Sequence, residues 1–122
     1  MTRSLLLVVG LVLASCTATG AGDATYDLTE FSITGPDRLA DGVSTITAHN
    51  SGEFAHTLVV TTDQGVVVAA TDLIQPGDTI AMSVDLPAGM FQITCRIVAQ
   101  TEEGRLIDHY EAGMNQLVDV NS

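Results

Sequence analysis

Four side chains in this sequence suit soft and borderline metals: His56, Cys95, His109 and Met114. A thiolate stabilises Cu(I), and imidazole nitrogens serve both Cu(I) and Cu(II). A long thioether bond lets copper change charge with little change of shape, the condition for fast one-electron transfer. Zinc takes similar atoms but usually draws on more cysteines and no methionine. The cysteine count sharpens this. Of the two cysteines, Cys16 closes an apolar leader that directs export, so Cys95 is left unpaired where thiols ordinarily form disulfides. A lone thiol there is an oxidation liability, and metal ligation is one reason to keep it. Each residue also has an ordinary explanation. A single inward cysteine is commonly a small core residue, methionines such as Met82 and Met90 commonly pack, and His109 fits a surface turn. The metal reading rests on the four together.

The elements that must position them are strands. From Tyr26 onward the apolar pattern has period two, rich in Val, Ile and Thr and punctuated by Gly, Pro, Asp and Asn. That predicts an all-β sandwich or barrel of about eight strands, near 26–34, 43–49, 56–62, 65–70, 78–85, 90–99, 105–109 and 115–120. Turns are expected at Gly35-Pro36-Asp37, Asp41-Gly42, Gln64-Gly65, Pro76-Gly77-Asp78 and Pro87-Ala88-Gly89. In the first strand the parity changes between Leu28 and Phe31, which predicts a bulge or bend. Alternation puts Phe91, Ile93, Cys95 and Ile97 on one inward face, and His56 on the face of Leu58 and Val60. His49 shares parity with Thr45 and Thr47, so it is expected at the surface and not as a ligand.

The leader precedes this domain. Leu5 to Ala14 is a ten-residue apolar run behind Arg3, too short to span a bilayer, which needs about 20 residues. It ends Leu13-Ala14-Ser15-Cys16, which resembles the lipobox of bacterial lipoproteins, in which the signal is removed and the cysteine is lipidated. An ordinary secretory signal with an incidental cysteine is the alternative; both imply export. Residues 1–15 are therefore read as the signal peptide, 16–25 as lipidated Cys16 and a small, polar tether, and 26–122 as one domain. Without the leader the chain carries three Arg, no Lys and fifteen acids, a net charge of −12. Such a surface repels nucleic acid; it suits a basic protein partner, or simply solubility. No nucleophile–base pair and no phosphate-loop spacing is present, so neither an enzyme nor a small-molecule substrate is expected.

The ordered segments resemble the cupredoxin family of blue, type 1 copper proteins, over about Tyr26 to Val120. Asn50 and Gly52 ahead of His56 resemble the family's first ligand motif. Leu86-Pro87-Ala88-Gly89 leading to Cys95 resembles the turn and strand that deliver the thiolate. His109, Met114 and the Gln116-Leu117-Val118 run resemble the second histidine, the axial methionine and the closing strand. The resemblance implies a Greek-key β-sandwich holding one mononuclear copper on His56, Cys95, His109 and Met114. It implies electron carriage between redox proteins, with His109 near the surface as the exit point. The lipobox resemblance, in turn, implies a location on the outer face of the cytoplasmic membrane or in the periplasm, with membrane contact through the lipid alone. Copper storage or delivery, and a metal-free cupredoxin-like lipoprotein, are the alternatives.

Two features depart from the family pattern. Thr57 stands after His56 where many members have Asn, and thirteen residues separate Cys95 from His109, more than the family usually has. The long segment reads as a hairpin around Thr101 to Gly104. Centred on Glu102, it sets Cys95 opposite His109, Arg96 opposite Asp108 and Ile97 opposite Ile107. Opposed Cβ atoms lie about 4.5–5.5 Å apart, so the insertion still returns His109 to the sulfur.

Overall fold

The computed structural model describes residues 22–122; the leader and Cys16 lie outside the described residues. Eleven strands form: β1 (Ala24–Thr29), β2 (Ser32–Thr34), β3 (Arg38–Ala40), β4 (Gly42–Asn50), β5 (Val59–Thr62), β6 (Val67–Ala70), β7 (Thr79–Leu86), β8 (Gly89–Thr94), β9 (Val98–Gln100), β10 (Leu106–Asp108) and β11 (Asn115–Asn121). Among the described residues there is no helix. One sheet has the order β2-β1-β4-β7 and the other β3-β11-β8-β5-β6, while β9 and β10 stand apart as a two-stranded hairpin.

Alternation decides what faces inward. Ala24, Tyr26 and Leu28 of β1, Ile46 and Ala48 of β4, and Val84 and Leu86 of β7 supply one sheet's inner face. Val60 of β5, Phe91 and Ile93 of β8, and Val118 and Val120 of β11 supply the other's. All belong to a single core, as a sandwich requires. The chain crosses repeatedly between sheets, from β4 to β5, β6 to β7 and β7 to β8. β1 pairs in parallel with β4, and β3 with β11; the remaining ladders are antiparallel.

The all-β sandwich matches expectation, with shorter and more numerous strands. The expected strand over 26–34 is a tight hairpin, with Thr29 opposite Ser32 and Glu30-Phe31 as its turn. The parity change marked this reversal, not a bulge. β3 was too short to show a period. The expected strand over 90–99 breaks after Thr94, where the chain leaves the sheet for the separate hairpin. Ala24 and Thr25 belong to β1 and not to the tether. Met82 packs against the core, but Met90 is 41% exposed on the outer face of β8.

The hairpin closes one residue later than expected. Val98 opposes Asp108, Ala99 opposes Ile107 and Gln100 opposes Leu106. The Thr101 N–H donates to the Arg105 carbonyl (2.8 Å), and the Thr101 hydroxyl accepts from the Arg105 N–H (3.1 Å). This clamps the loop at 101 and 105, and Gly104 takes the left-handed conformation (φ 83°) that closes it. His109 therefore meets Ile97 (N–H to carbonyl, 2.9 Å), and Arg96, freed from Asp108, lies over the Tyr110 ring at 4.4 Å.

Candidate metal centre

Cys95 follows directly on β8 and continues its inward parity into the core. The Cys95 N–H donates to the Met114 carbonyl (3.1 Å), and the Met114 N–H to the His109 carbonyl (3.0 Å). The 109–114 turn is thereby fastened beside the sulfur. Gly113 permits it: its φ is 129°, and a side chain there would press on the Phe31 carbonyl. His56 comes from outside the ladders. It makes an isolated bridge with Ile74, each N–H donating to the other's carbonyl at 3.0 and 2.8 Å.

These segments converge. His56, Cys95 and His109 form one buried cluster of potential metal donors. The Nδ1 atoms of the two histidines lie 3.2 Å apart, and Cys95 Sγ lies 3.8 Å from His56 Nδ1 and 3.5 Å from His109 Nδ1. A triangle with these sides has a centre about 2 Å from every corner, the length of a bond to a first-row metal. Met114 is fully buried beside it. Two imidazoles, one thiolate and a neighbouring thioether make a donor set suited to copper. His49 stands apart, as expected, with its Nδ1 2.7 Å from the Thr79 hydroxyl.

Neighbouring groups hold the donors. Asn50 is fully buried; its amide donates to the Phe54 (2.7 Å) and Ile74 (2.9 Å) carbonyls, and its Oδ1 accepts from the Gly52 N–H (2.9 Å). It thus folds the loop that leads into His56. The Thr57 N–H points at Cys95 Sγ (3.4 Å), and the Thr57 hydroxyl lies 3.9 Å from the same sulfur while accepting from the Arg96 N–H (3.3 Å). Thr57, which stands where many members of the family have Asn, therefore ties the His56 segment to the Cys95 segment.

Sequence reasoning missed Glu30 and Phe31. The Glu30 carboxylate accepts from His56 Nε2 at 2.9 Å and from the Glu53 and Phe54 N–H groups. Burial alone would raise this carboxyl; the hydrogen bonds from Phe54, Glu53 and His56 outweigh it and hold it below the usual range. The Phe31 ring meets His109 edge-on, with centroids 5.1 Å apart. Only the parity change at their hairpin turn hinted at either residue.

His109 is not at the surface. It is 1% exposed, and the Phe31 ring packs against it. A cleft of about 300 Å³ reaches its ring, lined by Phe31, Phe54, Ala99, Gln100, Thr101, Glu102 and Ile107 as well. Burial, and then repulsion from His56, lower the His109 pKa against the smaller opposing pull of Glu30 and Asp108. The ring is kept neutral, the form that ligates metal.

No family model and no curated protein matches the sequence. Solved structures do. The chain is similar to dithionite-reduced auracyanin from the photosynthetic bacterium Roseiflexus castenholzii, with 18% identity and a TM-score of 0.65 over 87% of this chain and 100% of that one. It is similar to auracyanin A, a "blue" copper protein from the green thermophilic bacterium Chloroflexus aurantiacus, with 16% identity and a TM-score of 0.60 over 82% of this chain and 100% of that one. Reduced rusticyanin gives 16% identity and a TM-score of 0.58 over 84% and 81%. The chain has the cupredoxin fold.

Proposed function

We propose that this protein is an exported blue-copper electron carrier, holding one copper on His56, Cys95, His109 and Met114 and passing single electrons between redox proteins. The observation that carries this is the triangle of two Nδ1 atoms and one Sγ, closed by three buried residues from separate segments. The bound metal would supply one-electron exchange between Cu(II) and Cu(I).

The chain's own residues do the rest. Cys95 gives the thiolate, and the Thr57 N–H stabilises charge on its sulfur. His56 and His109 would give two nitrogens, and Met114 a thioether sulfur. Burial keeps water from the donors and fixes their positions, so little moves when the charge changes. Of the four, His109 is the one that lines the cleft, and that cleft would be the route by which electrons leave. The exposed acids Glu102, Glu103 and Glu111, with Asp108, suit a basic donor or acceptor. Similarity to auracyanin A, a "blue" copper protein, supports the reading. Copper storage or delivery would use the same donors; their burial favours retention over ready release.

Titrating the purified domain with Cu(II) tests this. An intense visible thiolate-to-copper absorption is expected at one equivalent, and Cys95→Ser should remove it. A weak or absent band in the intact protein overturns the proposal. A reversible couple with fast self-exchange distinguishes carriage from delivery, for which copper would pass readily to a chelator. The lipid anchor on Cys16 belongs to the same proposal. Cys16→Ser should move the protein from the membrane to the soluble fraction; unchanged membrane association would remove the anchor from the account.

A further inference from the structure

The nitrogen of His56 that faces away from the donor triangle ends on a carboxylate. Glu30 occupies the turn between β1 and β2, 26 residues before His56, and its side chain is 22% exposed. Its Oε1 accepts from His56 Nε2 (2.9 Å), the Phe54 N–H (2.9 Å) and the Glu53 N–H (3.0 Å), and its Oε2 lies 3.1 Å from the Glu53 nitrogen. Gly52 leaves room for this: a Cβ there would overlap the carboxylate. Among the described residues this is the one ion-pair geometry, and it lies one imidazole ring away from the donor triangle.

Two consequences follow. An acceptor at Nε2 fixes the proton on that nitrogen and leaves Nδ1 unprotonated and facing Cys95 and His109. The acceptor also carries a full negative charge, which favours the higher charge of any metal bound at Nδ1. We propose that Glu30 is a positioning residue for the centre: it sets the tautomer of His56 and biases the bound metal towards Cu(II), lowering the reduction potential. The potential half of this proposal rests on the copper-carrier reading, and the tautomer half does not.

A plain structural clip is the competing role, since Glu30 also ties down the 52–54 loop. Glu30→Gln separates the two, because it keeps shape and one acceptor oxygen while removing the charge. In the copper-loaded protein, Cu(II) affinity should fall about 10–100-fold, the usual effect of losing such a partner, with a smaller loss for Cu(I). The potential should rise while the thermal midpoint changes little. Glu30→Asp, which keeps the charge, should stay closer to wild type in potential. An unchanged ratio of Cu(II) to Cu(I) affinity in Glu30→Gln overturns the proposal.

If the intact protein binds no copper, the carrier reading falls by its own test, and the metal-free protein decides the rest. Long-range nitrogen–proton NMR should show His56 protonated at Nε2 in wild type and a mixture of tautomers in Glu30→Ala. Glu30→Leu, which also lacks an acceptor oxygen, serves if the alanine variant does not fold. The same tautomer in wild type and variant overturns the positioning role.

Discussion

Tyr26 is a polar group taken into the core for its ring. The side chain is fully buried on β1, and its hydroxyl donates to the Pro36 carbonyl at 2.7 Å, tying the loop before β3 to the first sheet. Gly35 passes so close that a Cβ there would collide with the ring. Burial, and then the charge of Asp37, push the Tyr26 pKa up from 10.0 to about 12. The fold therefore favours the neutral phenol. The stability this contributes is complete below pH 10, where the unfolded chain also keeps its proton, and drains away as pH rises towards about 12. Urea midpoints measured from pH 8 to pH 12 should fall across that upper window. Tyr26→Phe should cost about 1 kcal/mol at neutral pH through the lost hydrogen bond, and should show a smaller alkaline decline. An equal decline in both proteins would place the titration elsewhere.

At the scale of elements, the period-two pattern revealed both inner faces, because a half-buried strand must alternate. It also aimed Cys95 and His56 inward, and the chemistry of the four side chains then suggested the centre. The hairpin shows how far such reasoning reaches. Moving its centre from residue 102 to 103 changes every opposed pair but no residue's face, since partners shift by two positions and side chains repeat every two. Which residues oppose one another depended on the Thr101–Arg105 clamp, a detail of a single turn. Burial of His109 was not legible at all, because the ring that packs on it, Phe31, sits in the distant β1–β2 turn. Glu30 was hidden for the same reason. A turn has no periodicity, and the group it serves lies 26 residues away. Thr57 was legible as a departure, but its bond from Arg96 needed the fold to bring the ligand segments side by side.

The whole molecule is dominated by one sign of charge. Among the described residues fifteen carboxylates face only Arg38, Arg96 and Arg105. Among the described residues no arginine pairs with a carboxylate; Arg96 spends its charge on the Tyr110 ring instead. The acids therefore act as a field and not as local pairs, and that field opposes the compact state. At about 0.01 M salt the screening length is about 30 Å, and at about 0.15 M it is about 8 Å. Repulsion should therefore be largely screened by physiological salt. The urea midpoint should rise steeply between these two concentrations and flatten above them. The shape of the curve matters more than its direction, because exclusion of salt from apolar surface also stabilises folded proteins at high concentration. A gain that grows mainly above physiological salt would point to that exclusion. A fall at low salt would mean that attractive surface pairs outweigh the repulsion, and the acidic shell would then lose its standing as a field able to steer a basic partner.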